Sequence, residues 1–281
     1  MTGHGLAGAA EGVASSDLTP WVRAREIMGT VVSIHAMLPA GSSSPTDPRI
    51  PAAADAAFDL LHEVDRVFTT YSEDSDIRRM ARGELQVSDA DPMVTEVVAL
   101  ALQARRATHG LVDAWWRGWF DPTGVVKGWA VERAARRYVV PLIDEGVAEA
   151  VAVSAGGDMQ LATSPTSSWT WNVGIADPFH AGATIARIPV RSGAVATSGT
   201  AERGAHITDP RSGEPAVSVA SASVVASSLT TADLWATAAC VAGFGDLTWI
   251  EVAGTQSGML VAADGRVRRW AGDAEVAGGT V

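Results

Sequence analysis

The chain has 281 residues and a formal net charge of −11; 47% of its residues are hydrophobic and 19% are charged. That length and balance suit one large folded domain or two small ones and exclude a disordered chain. The negative charge argues against a nucleic-acid backbone or an anionic membrane surface as partner, so a phosphate-bearing ligand would need a local cation, either a metal ion or a well-placed Lys or Arg.

Residues 1–19 are small, polar and aperiodic and read as a mobile tail. They lack the basic and apolar regions of a secretory signal, and no uninterrupted apolar run approaches the ~18 residues of a membrane span, so a cytoplasmic chain is expected. Trp21–Leu38 reads as two strands interrupted at Gly29, followed by a proline-rich loop, "PAGSSSPTDPRIPA". From Ala52 to Val67 the apolar residues Phe58, Leu61, Val64 and Val67 mark one face of a helix. A second helix carries complete punctuation: Asp91 as N-cap, Pro92 at its first position, and Gly110 past its end. A third is expected from Val125 to Tyr138.

"EAVAVSAGGDMQLA" predicts a buried strand that ends in a Gly-Gly-Asp turn. Strand-like runs follow in "WTWNVGIA", "TIARIPV", "GAVATSG" and "AVSVASASVVASS". A helix is predicted at 231–243 with an acid, Asp233, in its first turn. Within it lies Cys240, the only cysteine, which excludes an intrachain disulfide and reads as a small buried hydrophobe among alanines. "TWIEVA" and "GMLVAADGRVRRW" are expected to be strands, the latter folded at an Asp-Gly turn. Helices and strands mingle without strict alternation, which predicts an α+β fold in one unit, residues 20–281.

Four stretches could carry chemistry. Asp233 and Thr237 lie four apart on one helical face, where a carboxylate and a hydroxyl can both offer oxygen to a hard cation such as Mg²⁺. The ordinary alternative is that Asp233 only complements the helix N-terminus. "FDPTGVVKGWAVERA" places Lys127 near a helix start, where exposed N–H groups and an ammonium suit phosphate; alternatively the lysine is solvated beside a tight helix contact. "SAGGDMQ" allows close backbone approach, or is a plain turn with Asp158 bonded to its own loop. In "GAHITDPRSGEP", His206 could act as a general base and Asp209 could orient it or take the proton itself. Ten tryptophans, four of them between Trp115 and Trp129, could stack on a flat ring or pack a core.

The order of the motifs is more specific than any one of them. "IMGTVVSI", "VDRVFTTYSEDSDIRRM", "THGLVD", "FDPTGVVKGWAVERA", "AGGDMQ", "WNVGIADP", "AVATSG", "HITDPRSGEP" and "TADLWATA" together resemble the ApbE family of flavin transferases, from about Ile27 to Gly243. The resemblance implies an α+β fold with mixed or antiparallel sheets and flanking helices. It also implies Mg²⁺-dependent transfer of FMN from FAD to a Ser or Thr hydroxyl of a target flavoprotein, with release of AMP. By the same resemblance Asp233, Thr237 and the main chain of Gly124 are expected to ligate Mg²⁺. Met28, Tyr71, Leu111, Val112 and Asp113 are expected to contact FAD, as are Asp121, Lys127 and Ile207. His206 is the expected catalytic histidine, with Asp209 the next candidate base.

Two departures from the family pattern stand out. The secretory lipoprotein signal of many relatives is not seen, so the acceptor is expected in the cytoplasm. Asp113 and Asp121 are only eight apart, where relatives carry a much longer segment, and one of Trp115, Trp116 and Trp119 is expected to replace a lost wall of the ring pocket. Two other activities share the same residues: hydrolysis of FAD to FMN and AMP, and FAD binding without turnover.

Overall fold

In the computed structural model, residues 11–12, 18–40, 47–200 and 207–280 are described. Most strands join a nine-stranded antiparallel sheet with the order β12-β11-β10-β9-β8-β5-β4-β3-β2. Its members are β2 (Leu18–Ile27), β3 (Thr30–Pro39), β4 (Ala150–Ala155), β5 (Asp158–Thr163), β8 (Gly193–Gly199), β9 (Val219–Ala226), β10 (Ser257–Ala262), β11 (Arg266–Ala271) and β12 (Ala274–Thr280). A second sheet pairs β1 (Glu11–Gly12), β6 (Trp171–Ala176) and β7 (Thr184–Val190). The α+β class expected from the sequence is therefore observed. Leu18 pairs with Pro39, and Glu11–Gly12 pairs with Asn172 and Trp171, both inside the stretch read as a tail.

Alternation along the central strands builds a core on each face of the large sheet. Val151, Val153 and Ala155 of β4 join the helical side, whereas Ala150 and Ala152 face Trp171, Val173 and Ile175 of the small sheet. Burial on both faces explains why β4 and β9 read as unbroken runs of small and β-branched residues.

The helical side carries α1 (Arg49–Phe68), α2 (Asp76–Ala81), α3 (Pro92–Ala107), α4 (Thr123–Ala134), α5 (Pro141–Asp144), α6 (Leu229–Ala242) and α7 (Ile250–Ala253). The predicted stripe of α1 is fully buried at Phe58, Leu61, Val64 and Val67. The helix starts at Arg49, inside the stretch assigned to the proline loop, because prolines in a first turn lose no hydrogen bond. Asp91 caps α3 by accepting from the Met93 N–H at 2.9 Å. The helix expected at Val125–Tyr138 begins two residues earlier, and a π-helical turn at Ala135–Val139 carries it toward Pro141.

One element differs in kind. "TWIEVA" forms a turn and the short helix α7 rather than a strand. Asp246 accepts from the Thr248 N–H at 2.9 Å, and the Trp249 indole N–H donates to the Asp246 carbonyl at 3.0 Å, which winds the chain locally. Trp249 then stacks on Trp235 with ring centroids 5.5 Å apart and meets Trp270 edge-on at 5.1 Å. Tertiary packing overrides the strand propensity of the β-branched residues.

Candidate active site

Helices α4 and α6 cross in close contact, and glycine makes the contact possible. A Cβ at Gly128 would lie 2.8 Å from Asp233 Cβ and 2.9 Å from the Leu229 carbonyl oxygen. The missing side chain lets the Gly128 N–H donate to Asp233 Oδ2 at 3.0 Å. Four residues on, Glu132 of α4 caps the start of α6, accepting from the Thr230 N–H at 2.9 Å and its hydroxyl at 2.6 Å. Gln160 adds a third tie, accepting from the Leu229 N–H at 2.9 Å. Ser228 is the N-cap, so α6 begins at Leu229 and Asp233 lies beyond its first turn, contrary to expectation. Asp233 therefore does not serve as the complement to the helix N-terminus.

Lys127, next to this glycine, is not a solvated surface lysine. Its ammonium donates to Asp158 Oδ2 and lies 3.6 Å from Asp233 Oδ1. Asp158 is 1% exposed, and its other oxygen accepts from the Thr197 N–H at 2.9 Å. Asp158 thus bonds across to α4 and β8 and not within its own loop. Burial pushes its carboxyl up to about 7 against the pull of Lys127, with nearby Asp233 adding to the rise. Spacing gave no warning of Asp158 as part of this network; the one sequence signal was an acid opening a strand that reads as buried.

These groups border a cleft of about 490 Å³, within the usual range for small-molecule sites. Asp233, Thr237, Lys127 and Gly124 all line it. The Thr237 hydroxyl shares a 3.2 Å hydrogen bond with Ser198 at the end of β8. Of the residues expected to contact FAD, Tyr71, Leu111, Val112, Asp113, Asp121, Lys127 and Ile207 border the same cleft. Met28 does not. It sits in the two-residue turn between β2 and β3 at φ 56°, beside Thr30, which abuts the cleft-lining Gly156.

The short link between the two acids is closed by the Asp121 N–H donating to the Ala114 carbonyl at 2.7 Å. Asp113 turns back to accept from the Trp115 N–H at 2.9 Å. Of the three tryptophans in the link, Trp116 borders the cleft, with the Arg117 guanidinium 4.7 Å from its ring. Trp115 packs on Phe120, and Trp119 lies under Arg78.

His206 lies outside the described residues. The chain that follows it forms a small hairpin, with Thr208 bridged to Pro215 and the Ala216 N–H donating to the Ile207 carbonyl at 2.9 Å. Asp209 accepts from the Arg211 N–H at 2.9 Å and is clasped by its guanidinium at 2.7 Å, which holds the carboxyl below the ordinary range. A carboxylate so engaged is a poor proton acceptor near neutrality, which argues against Asp209 as the base.

Among the described residues there is no cluster of three or more His, Cys, Asp or Glu side chains that could hold a metal ion by itself. Asp233, Thr237 and Gly124 instead border one cleft together. No helix among the described residues is long and apolar enough to cross a membrane.

Comparison with known proteins agrees with this fold. The fold matches that of the ApbE protein of Thermotoga maritima, with a TM-score of 0.73 and 23% identity over 89% of this chain and 97% of that one. It also matches the flavin transferase ApbE of Vibrio cholerae, with a TM-score of 0.66 and 20% identity over 90% of this chain and 97% of that one. A curated relative, the FAD:protein FMN transferase of Rhodobacter capsulatus, is 35% identical over 134 residues, or 43% of this chain. The match spans only 25% of that relative's length. The ApbE sequence profile matches residues 28–123 and 117–259, together most of the length and all of the cleft described above. With fold, cleft and profile in agreement, the chain belongs to the ApbE family.

Proposed function

We propose that this protein transfers FMN from FAD to a Ser or Thr hydroxyl of an acceptor flavoprotein in a Mg²⁺-dependent reaction that releases AMP. The observation that carries the proposal is the convergence of Asp233, Thr237, Lys127 and Gly124 on one cleft of about 490 Å³. Family membership and the curated relative's name support the same activity.

Asp233 Oδ1, the Thr237 hydroxyl and the Gly124 carbonyl are the oxygens that would hold Mg²⁺. The fit rests on Asp233: its Oδ2 is committed to the Gly128 N–H, while Oδ1 receives no hydrogen bond among the described residues. A cation bound there would neutralise diphosphate charge and the charge that grows on the AMP leaving group. Lys127, anchored by Asp158, offers a second positive charge on the same wall. In the reaction the acceptor oxygen bonds to the FMN phosphorus, the bridging P–O bond to AMP breaks, and the hydroxyl proton passes to a base. His206 is assigned that role on chemistry, since imidazole titrates near about 6.5. Trp116 and Tyr71, both at the cleft, offer flat faces to the ring systems of FAD.

The test is incubation with FAD and Mg²⁺, with and without a flavoprotein from the same cell, followed by mass spectrometry. An acceptor that gains one FMN on Ser or Thr, with matching AMP, is the expected result. AMP formed at the same rate without acceptor would replace transfer with hydrolysis. Bound FAD with no AMP would leave a binding protein.

A further inference from the structure

We infer that Asp158 is a positioning residue that holds the Lys127 ammonium away from Asp233, keeping Asp233 Oδ1 available to a divalent cation. The inference rests on the metal-assisted activity proposed above and concerns a residue outside the ligand set.

Lys127 and Gly128 straddle Asp233. The Gly128 N–H fixes Oδ2 at 3.0 Å, and the lack of room for a Cβ at 128 keeps α4 against α6. Oδ1 is then the oxygen left for the cleft, and among the described residues the nearest cation to it is the Lys127 ammonium at 3.6 Å. An ammonium on a four-carbon stem so close would ordinarily close onto the carboxylate and cancel its charge. A lysine bound there competes directly with a metal ion for the same oxygen.

What prevents this is the geometry of Asp158. Its carboxylate is 1% exposed and cannot swing, because the Thr197 N–H holds Oδ1 at 2.9 Å from β8. Oδ2 is thereby aimed at Lys127 and takes its hydrogen bond, while Asp233 is left at the longer distance. Two buried acids share one lysine unequally: Asp158 Oδ2 accepts its hydrogen bond, while Asp233, held through Oδ2 by the Gly128 N–H, keeps Oδ1 at 3.6 Å from it. The Gly156–Gly157 turn that precedes Asp158, with φ of 58° and 95°, sets the register that puts an acid at this depth.

The experiment is a titration of the purified chain with Mn²⁺ alone, followed by calorimetry, for wild type, Asp158→Asn, Lys127→Met and the Asp158→Asn/Lys127→Met double variant. An opposite charge within about 4–6 Å alters a carboxylate's affinity for a proton by roughly one to three powers of ten, and a cation should respond on the same scale. Asp158→Asn should therefore weaken Mn²⁺ binding at least about tenfold. Removing Lys127 as well should restore binding to near the wild-type level, because the competitor is gone. A purely structural role for Asp158 would not produce that recovery, and the double variant removes both members of the Lys127–Asp158 pair, so neither is left without the other.

Unchanged Mn²⁺ affinity in Asp158→Asn, or a double variant as weak as Asp158→Asn, would overturn the inference while leaving the metal site intact. A wild-type chain that binds no Mn²⁺ would overturn both this inference and the metal-dependent activity, and so marks the failure of the underlying proposal.

Discussion

The main-chain N–H of Gly128 donates to Asp233 Oδ2 at 3.0 Å, at a point where a Cβ on residue 128 would sit 2.8 Å from Asp233 Cβ. One atom's absence thus brings two helices together and orients an acid. Gly128→Ala should force α4 from α6 and cost about 1–3 kcal/mol, the usual range for overpacking a close contact. Thermal or denaturant unfolding checks the loss, and activity should fall with it because Asp233 moves. A variant as stable and active as wild type would mean the helices can yield there freely.

Trp116 borders the cleft in the link between Asp113 and Asp121. Trp116→Ala should weaken FAD binding by about 0.5–1.5 kcal/mol, the increment of an aromatic pair beyond its buried area. Trp115→Ala, which opens the packing against Phe120, should instead lower stability. Equilibrium binding of FAD, read by quenching of flavin fluorescence, separates the two effects.

Asp209 and His206 make opposite predictions for the pH–rate profile. The Arg211 guanidinium and main-chain N–H hold the Asp209 carboxyl below its ordinary value of 3.8. Its contribution to stability is present above that value and is lost as pH falls through the lowered one, so Asp209→Asn should matter least in acid. It leaves no rate limb near neutrality. Asp209→Asn should leave the limb near about pH 6–7 in place, whereas His206→Ala should remove it. A limb that disappears with Asp209 would make that acid the base.

Burial pushes the Cys240 thiol up from 9.0 to about 12, and its sulfur donates to the Ser198 carbonyl at 3.4 Å. Because the folded value is raised, the stability tied to the neutral thiol is full below 9 and drains away as pH rises toward 12. The native chain should resist alkylation by iodoacetamide at mildly alkaline pH and react only when unfolded. Rapid native labelling would place the thiol elsewhere.

Local signals in the sequence carried much of the helical layer. The stripe of α1, the Asp91–Pro92 start of α3 and the β2–β3 turn at Gly29 follow from neighbours along the chain. Asp233 and Thr237 were legible for the same reason, since helical spacing alone puts them on one face. The groups that organise them were not. Asp158, Glu132 and Gln160 act across 31, 98 and 69 residues respectively, and nothing local distinguishes an acid that reaches a lysine from one that turns on itself. The helix at Ile250–Ala253 was hidden in part likewise, because Trp249, which precedes it, stacks on the distant Trp235 in addition to its local bond to Asp246.

The most direct test of the account is the Mg²⁺ dependence of AMP release from FAD in wild type and in Asp233→Ala, measured in the presence of an acceptor flavoprotein. The account predicts saturable activation of the wild type and no turnover of the variant at any Mg²⁺ concentration, with part of the FAD affinity surviving. An Asp233→Ala protein that releases AMP with the wild-type dependence on Mg²⁺ would contradict it.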